Sequence, residues 1–289
     1  MQARQRIGWC HGSGRASRKR LARIARTLGE GGMRVGIIGG TGWIGQALGR
    51  ALLETGRVAP DDLAILNRTG TTGAYFGHAV QWAAHAADLV NRCDVIVVSV
   101  KPQDWPGLAL QAQGRLVISV MAGVRLRALP PRSLRALPNA AAELRRSYTP
   151  WFAGPDLTGA DKQAAVTLLS AIGTCEELQT EDHLDLMTAT TGAGPAYPAL
   201  MAQAIIGYLV ENGVTPGIAP NAAEAVLCGA TPLRAGKMGD AANLVQRFID
   251  HDGTTVAGLR MAIAQGFETA LKAGLAAAAA RARAMSEGT

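Results

Sequence analysis

Apolar residues in the first part of the chain fall in short continuous runs separated by stretches with helical spacing. The runs are RVGIIG at 34–39, DLAILNR at 62–68, DVIVVSV at 94–100 and RLVISVMAG at 115–123. The stretch WIGQALGRALLETG at 43–56 has helical spacing and ends on glycine. Strands that are apolar on both faces and alternate with helices are typical of a parallel sheet covered on two sides.

The pattern changes along the second part of the chain. Between 137 and 177 it predicts shorter strands around one helix at about 159–172. From residue 181 onward it predicts only helices, at about 182–190, 194–212, 219–237, 240–249, 254–264 and 266–286. We therefore predict a Rossmann-like α/β domain with a parallel sheet over residues 33–180, followed by an all-α domain over 181–289.

Composition and charge modify this picture in one place. Hydrophobic residues make up 48% of the 289 and aromatic residues only 4%, which favours closely packed helices with small contact residues. The net charge of +7 lies in residues 1–32, which hold eight basic residues and one acid, while the other 257 carry 21 of each sign. The folded body therefore has no excess charge that would indicate nucleic-acid binding.

Residues 1–32, the basic leader, have two interpretations. It has no apolar segment of signal-peptide length, and we expect a disordered tail or a translated region upstream of a start at Met33. Binding of the leader to nucleic acid or to an anionic surface stays open. An intact-mass measurement of the natural protein distinguishes a leader that is made from one that is not.

Cysteine usage and hydropathy predict a cytoplasmic protein with reduced thiols and no metal site. The four cysteines, Cys10, Cys93, Cys175 and Cys228, form no CxxC pair and have no histidine at metal-ligand spacing. The sequence contains no run of about 18 apolar residues, so it predicts no membrane-spanning helix.

A glycine pattern follows the first predicted strand. Gly40, Gly42 and Gly45 have the GxGxxG spacing between a strand and a helix. In that context the first glycine makes the tight turn, the second lets the backbone approach a pyrophosphate, and the third lets helix pack on strand. The helix N-terminus then faces the phosphates. The predicted contacts of the cofactor in this turn are Gly40, Thr41, Gly42, Trp43, Ile44 and Gly45.

The end of the second strand indicates which dinucleotide binds. An NAD site usually has Asp or Glu there, whereas this chain has Asn67, Arg68 and Thr69. A guanidinium suits a 2′-phosphate, so we predict NADPH (NADP+) with contacts from Asn67 and Arg68. The alternative is that Arg68 is an ordinary solvated charge. Lys101, which leaves the carboxyl edge of the sheet after another strand, is a further candidate.

Several motifs in order resemble the pyrroline-5-carboxylate reductase family. They are GRVAPDDLAILNR (56–68), VVSVKPQ (97–103), VISVMAGV (117–124), LPNAAAEL (137–144), TGAGPAYPALMAQA (191–204) and GTTVAGL (253–259). The resemblance runs from Met33 to about residue 284. It implies hydride transfer from NADPH to the carbon of a cyclic C=N bond, as in L-proline biosynthesis. It also implies a homodimer or higher homo-oligomer formed through interleaved C-terminal helices.

The resemblance also implies where the reacting partners lie. The cofactor would be lined by Lys101, Pro102, Gln103 and Asn139. The substrate would meet Ala193, Gly194, Pro195, Ile249, Asp252 and Gly253. The candidate catalytic residues are His251, Thr254, Thr255 and Tyr197. Because an iminium carbon is already electrophilic, the protein mainly has to orient cofactor and substrate.

The chain departs from the family where the substrate would bind. The family's loop reads Thr-Ser-Pro-Gly-Gly-Thr-Thr and holds the substrate carboxylate, whereas residues 249–255 read Ile-Asp-His-Asp-Gly-Thr-Thr. An ionised Asp252 would repel a carboxylate, unless it points away or His251 neutralises it. Alternatively, Asp252 caps the following helix and occupies the amides that an anion needs. His251 is either a plain loop residue or a proton donor to the reduced nitrogen.

Three other functions stay open. One is reduction of a different small-molecule imine in specialised metabolism. Another is a deazaflavin-type NADP oxidoreductase, which the GGTG turn also resembles, although the GPAY and GTT motifs of the helical half do not fit it well. The third is a non-catalytic dinucleotide-binding protein with a decayed substrate loop.

Overall fold

The computed structural model describes residues 32–70, 73–251 and 253–287. The predicted leader, apart from Gly32, and Asp252 lie outside the described residues, as does Cys10. Eight strands form one sheet in the order β10-β9-β8-β7-β6-β1-β2-β5. Together with a separate two-stranded hairpin of β3 and β4, the strands are β1 (Val35–Ile38), β2 (Leu63–Leu66), β3 (Ala74–Tyr75), β4 (His78–Ala79), β5 (Gln81–Trp82), β6 (Val95–Val98), β7 (Leu116–Ser119), β8 (Ser133–Ala136), β9 (Ser147–Ala153) and β10 (Gly173–Glu177).

The order of strands creates a crevice at one edge of the sheet. From β1 the chain runs outward through β2 to β5, then returns to the other side of β1 with β6 and continues through β7 and β8. Neighbouring strands are parallel, except that β8 and β9 are antiparallel. The predicted parallel sheet is thus confirmed with one antiparallel pair. Ligands of such sheets bind outside the carboxyl ends of the strands where the order reverses, here at β1 and β6.

Helices cover both faces of the sheet and continue through the second half of the chain. On one face Leu48, Leu52, Leu168 and Leu169 join the buried core, and on the other Leu89, Val90 and Trp105 do so. The α-helices are α1 (Trp43–Glu54), α2 (Ala86–Arg92), α3 (Trp105–Leu108), α4 (Gly159–Leu169), α5 (His183–Met187), α6 (Ala196–Glu211), α7 (Ala219–Glu224), α8 (Ala241–Ile249), α9 (Thr254–Ala264) and α10 (Phe267–Glu287).

Two predicted helices are not continuous, so the sequence-based assignment was wrong there. The helix expected over 219–237 consists of α7, a π-helical turn at Ala225–Gly229 and a 3-10 turn at Thr231–Arg234. Pro232 lacks the amide that an α-helix needs at this point. The helix expected over 182–190 is α5 followed by a π-helical turn at Thr188–Gly192, where the hydroxyls of Thr188 and Thr191 bond back to main-chain carbonyls four residues earlier.

The helical half exposes much of its apolar surface. Helices α6 and α8 have no buried residue, and Leu200, Tyr208, Leu233 and Met261 are each more than 60% exposed. The run His183–Glu211 is long and apolar enough, by length and composition, to span a membrane, and none of its most apolar stretch is buried. The same stretch is interrupted by the break between the π-helical turn and α6. An apolar surface this extensive marks an interaction site.

A network of buried charges fastens the helical half to the sheet. Arg135 in β8 is 1% exposed and donates from Nη1 to Oε1 of Glu181 at 2.7 Å. Arg125 donates to Asp182 at 2.7 Å and to Asp185, which is 1% exposed, at 3.1 Å. Ser286 near the end of α10 donates to the same Asp185 at 3.4 Å. The loop after β7, strand β8, helix α5 and helix α10 therefore meet at one set of ion pairs.

The network gives a prediction for stability. Within the described residues, Nε and Nη2 of Arg135 have no acceptor, so Glu181 supplies the compensating charge. Glu181→Ala leaves this guanidinium buried and uncompensated, and we expect it to lower the free energy of unfolding by about 3–5 kcal/mol. Urea denaturation at a fixed protomer concentration measures the change.

The control is Asp182→Ala. Asp182 pairs with Arg125, but its side chain is 74% exposed, so solvent screens the pair and its loss should change the free energy of unfolding much less than the loss of Glu181. The hydrogen bond from Arg125 holds the pKa of Asp182 below its usual value, so this contribution disappears as the pH falls through that lowered pKa. Equal losses in the two variants at neutral pH would contradict the role given to Glu181.

Candidate active site

The turn after β1 begins at a position that only glycine fits well. Gly39 has φ of +82° and a Cβ there would lie 2.3 Å from the carbonyl oxygen of Ser99. Its amide donates to the carbonyl of Leu66 at 2.8 Å. Sequence analysis assigned the tight turn to Gly40, and this was wrong: the left-handed residue is Gly39, because the chain leaves β1 between the ends of β2 and β6. A Cβ on Gly45 would lie 2.3 Å from the Gly39 carbonyl, so helix α1 starts against the turn itself.

The N-terminus of α1 is open to an anion. Gly42 is the N-cap and has no side chain to cap the helix, while its carbonyl accepts from Gln46 at 2.8 Å. The amides of Trp43, Ile44 and Gly45 precede the first amide that can bond inside the helix. Thr41, Gly42 and Trp43 are exposed. Such a set of amides, together with the helix dipole, favours phosphate.

Trp43 connects the glycine turn to the segment after β8. Its side chain is 58% exposed, and the indole N–H donates to the carboxylate of Glu143. Glu143 belongs to a 3-10 segment, Ala140–Leu144. Sequence analysis named Trp43 but missed Glu143, because an acid in a short polar segment carries no signal of its own.

The end of β2 places a cation near the end of β6. The guanidinium of Arg68 is 84% exposed and lies 3.6 Å from the carboxylate of Asp104. Asp104 closes the 3-10 turn Pro102–Asp104, which follows β6 and Lys101. Lys101 and Gln103 are both exposed. The predicted residues of these two loops therefore lie at the same edge of the sheet, and Asp104, which sequence analysis missed, orients Arg68.

Asn139 joins the sheet to the helical half. Its side-chain oxygen accepts from the amide of Ala141 at 3.0 Å, and its Nδ2 donates to the carbonyl of Thr191 at 3.0 Å. Its own amide donates to the hydroxyl of Ser147 at 3.1 Å. Asn139 thus caps the Ala140–Leu144 segment and at the same time holds the start of the TGAGPAY motif at the carboxyl edge of the sheet.

The TGAGPAY motif forms the entry to α6. The amide of Ala193 donates to the carbonyl of Thr188, and that of Gly194 to the carbonyl of Thr191, which closes the π-helical turn. Pro195 is the N-cap of α6. The hydroxyl of Tyr197 donates to the carbonyl of Ala189 at 3.3 Å. In this chain the Tyr197 hydroxyl is therefore bonded to the backbone of the same turn.

The loop between α8 and α9 is built by local hydrogen bonds. Nδ1 of His251 lies 2.6 Å from the carbonyl of Arg247, and Asp250 accepts from the side chain of Gln246 at 2.8 Å. With a carbonyl as its partner, Nδ1 is the donor of this bond, and Nε2 of His251 is the ring nitrogen that the bond leaves unengaged. Ile249 is the last residue of α8 and is half-buried.

Helix α9 starts with a second uncapped N-terminus. Gly253 is its N-cap, with φ of +148° and no side-chain cap, and Thr254 and Thr255 in the first turn are exposed. Among the described residues, the hydrogen bonds of this loop stay within the loop, α8 and α9. Within one chain a hydrogen bond joins the TGAGPAY motif to the sheet edge, whereas the described residues of the 249–255 loop make no hydrogen bond to the glycine turn.

The described side chains offer no metal-binding cluster. No group of three or more His, Cys, Asp or Glu residues at metal-ligand distances occurs within the described ranges. Cys93 is buried, Cys175 half-buried and Cys228 exposed, and all three are free thiols.

Comparison with known proteins agrees with this division of the chain. A sequence model described as "NADP oxidoreductase coenzyme F420-dependent" matches residues 34–123, and one described as "Pyrroline-5-carboxylate reductase dimerisation" matches residues 181–285. A pyrroline-5-carboxylate reductase of Pseudomonas aeruginosa is 28% identical over 272 residues, covering 90% of this chain and 96% of that protein. One of Mycobacterium tuberculosis is 29% identical, covering 86% and 95%.

Solved structures show the same fold. A pyrroline-5-carboxylate reductase from Coxiella burnetii has a TM-score of 0.77 at 23% identity and covers 89% of this chain and 99% of its own. A pyrroline carboxylate reductase from Plasmodium falciparum with NADP bound has a TM-score of 0.74 at 20% identity, covering 89% and 100%. The matches span both halves in chain order, and together they support a divergent member of the pyrroline-5-carboxylate reductase family.

Proposed function

We propose that the protein is an NADPH-dependent reductase of a cyclic imine, with the reaction type of pyrroline-5-carboxylate reductase. The observation that carries this is the bond from Asn139 to Thr191, which holds the TGAGPAY motif beside the carboxyl edge of a dinucleotide-binding sheet. The relatives that match along nearly their whole length are named pyrroline-5-carboxylate reductases. The deazaflavin alternative explains the match of residues 34–123 but not the match of the helical half.

The cofactor assignment rests on the sheet edge. The open N-terminus of α1 fits a pyrophosphate, and the exposed guanidinium of Arg68 fits a 2′-phosphate. Lys101 and Gln103 extend the same exposed edge. NADPH, when bound, supplies the hydride. The protein's part is to hold the nicotinamide against one face of the substrate and to keep the C=N carbon in line with it.

The helical half supplies the substrate side of the site in this proposal. Ala193, Gly194 and Pro195 line it at the entry to α6, where Tyr197 fixes the turn through its bond to Ala189. The amides and hydroxyls of Thr254 and Thr255 at the start of α9 receive a polar group of the substrate. His251, with its Nδ1 held by Arg247, gives a proton to the reduced nitrogen through Nε2.

A homodimer completes this arrangement. In this proposal residues 33–180 bind the dinucleotide, residues 181–289 form the dimerisation and substrate domain, and the reductase is cytoplasmic. The exposed apolar side chains of α6, α9 and α10 pack against a second copy. The partner copy brings its 249–255 loop to the sheet edge, to which the described residues of that loop make no hydrogen bond within one chain.

A second candidate substrate class follows from the 249–255 loop. Asp250, His251 and Asp252 stand where the family pattern has Ser, Pro and Gly. Asp252 lies outside the described residues, so its charge is argued from the sequence alone. A substrate carboxylate within about 4 Å of an ionised aspartate is repelled by about 4 kcal/mol at an effective dielectric near 20, or about a thousandfold in affinity. An imine without a carboxylate avoids this repulsion.

Turnover of a panel of imines tests the proposed function. NADPH oxidation is measured with pyrroline-5-carboxylate beside cyclic imines with and without a carboxylate. We expect turnover of cyclic imines, with the uncharged ones favoured over pyrroline-5-carboxylate because of the acidic loop. Equally efficient use of pyrroline-5-carboxylate would refute the argument from charge. NADPH binding without turnover of any imine would support the non-catalytic alternative.

Restoring the family loop tests the role of the acid directly. We predict that Asp252→Gly combined with Ile249→Thr raises kcat/KM for pyrroline-5-carboxylate by about tenfold or more, since each 1.4 kcal/mol of repulsion removed is a factor of ten. The matched control is Asp250→Asn, which removes one charge from the same loop at a carboxylate already engaged by Gln246. An unchanged kcat/KM in the double variant would show that these positions do not contact the substrate.

The proposed dimer predicts the effect of a charge on α6. Leu200 is 65% exposed in the single chain. We expect Leu200→Glu to bury a carboxylate in the interface and to shift the protein to monomer at micromolar concentration, with loss of turnover. Light scattering after size-exclusion chromatography measures the mass. Glu211→Lys, at the end of the same helix, is the charge-change control and should leave the assembly intact; a dimeric Leu200→Glu protein would argue against this interface.

A further inference from the structure

The main chain of the glycine turn accepts a hydrogen bond from a side chain that is distant in the sequence. The turn between β1 and α1 reads Gly39-Gly40-Thr41-Gly42. The hydroxyl of Tyr75 donates to the carbonyl of Gly40 at 2.6 Å. Tyr75 is 5% exposed and lies in β3, 35 positions away along the chain. A distant side chain thus holds the main chain of the turn at Gly40.

This bond fixes the direction of a whole peptide unit. Because a trans peptide is planar, the Gly40 carbonyl and the Thr41 amide point in opposite directions. With the carbonyl turned inward to Tyr75, the Thr41 amide is turned away from the tyrosine, on the exposed side of the turn where Thr41 and Gly42 lie. A carbonyl turned to that side instead would present a partial negative charge to a phosphate.

The surroundings of Tyr75 are shaped to hold it. A Cβ on Gly49 would lie 2.5 Å from the tyrosine hydroxyl. Helix α1 therefore has a glycine in its interior where the tyrosine ring packs, although glycine is less favourable than alanine inside a helix. The ring makes edge-to-face contacts with Phe76 at 4.8 Å and Trp82 at 6.0 Å between centroids. Phe76 and Gly77 both have positive φ, 50° and 82°, as in the two-residue type I′ turn of a hairpin.

We propose that Tyr75 is a positioning residue for the dinucleotide pyrophosphate, acting through the Gly40–Thr41 peptide. The proposal rests on the proposed function in taking NADPH as the ligand of this turn. Tyr75 does not contact the cofactor; it orders the amides that do. Burial raises the pKa of the Tyr75 hydroxyl far above its usual value, so the group remains a donor throughout the neutral range.

Removal of the hydroxyl tests the proposal. We expect Tyr75→Phe to weaken NADPH binding by about fivefold, the equivalent of about one hydrogen bond. Binding of 2′-AMP, which has the 2′-phosphate and adenosine but no pyrophosphate, should be unchanged. In turnover of the best imine of the panel, KM for NADPH should rise by the same factor while kcat is unchanged. Fluorescence titration and steady-state kinetics on the full chain measure these quantities.

The matched control is Tyr148→Phe. Tyr148 in β9 donates to Glu176 at 2.6 Å at the opposite end of the sheet, and its removal should leave both affinities unchanged. Equal NADPH affinity of Tyr75→Phe and the wild-type protein would overturn the proposal. So would an equal loss for NADPH and 2′-AMP, which indicates general damage to the domain. Failure of the wild-type protein to bind NADPH would instead overturn the proposed function, and the two failures are therefore distinguishable.

A second variant tests the same bond without removing the hydroxyl. Gly49→Ala displaces the tyrosine from α1, and we expect it to weaken NADPH binding as Tyr75→Phe does. Both single variants break the same hydrogen bond, so their effects should not add. The NADPH affinity of the double variant should therefore lie within about twofold of that of the weaker-binding single variant. If the loss of NADPH affinity in the double variant were the product of the two single losses, Gly49 and Tyr75 would act separately, and this would contradict the proposal.

Discussion

The close approach of three strand ends at the switch point is the constraint on which the rest of the site depends. The chain leaves β1 between the carbonyls of Leu66 and Ser99, and Gly39 is the residue that permits this passage. The chain direction set at Gly39 brings Gly45 against the carbonyl of Gly39, and α1 begins within a few residues of the turn. The free amides in the first turn of α1 therefore point out of the carboxyl edge of the sheet, where they can bind an anion.

The helical half depends on the same edge. Asn139 bonds Thr191 there, and the buried pair of Arg135 and Glu181 fastens the start of α5 to β8 a short distance away. A buried ion pair contributes little net stability against an apolar substitute, but removal of one partner is costly. Its effect is therefore to exclude other orientations of the helices on the sheet. These polar contacts therefore help to set the position of the TGAGPAY motif relative to the glycine turn.

The sequence predicted the elements well wherever the hydrophobic period was unambiguous. The strands β1, β2, β6 and β7 are continuous apolar runs, and their parallel arrangement followed from the helices between them. Prediction from the sequence failed where the deciding contact comes from a residue far away along the chain or from the main chain. The left-handed residue is Gly39 rather than Gly40 because of Ser99, 60 residues away. The helix expected over 219–237 was extended across Pro232, although the missing main-chain amide of that proline interrupts it. Glu143, Asp104 and Tyr75 escaped notice for the same reason, since each acts through a partner that only folding brings near.

Substrate recognition and assembly are coupled in the proposed enzyme because both use α8 and α9. The loop between these helices carries the residues assigned to the substrate, while exposed apolar residues on the same helices, such as Phe248 and Met261, contribute to the surface that a second copy covers. The loop's local bonds, from His251 to Arg247 and from Gln246 to Asp250, are exposed, so they restrain it only weakly. In the proposed dimer, docking of these helices on a partner would restrain the loop further, and a substitution that weakens association would then also weaken substrate binding. For that reason the effects of loop variants on KM have to be compared at equal dimer occupancy.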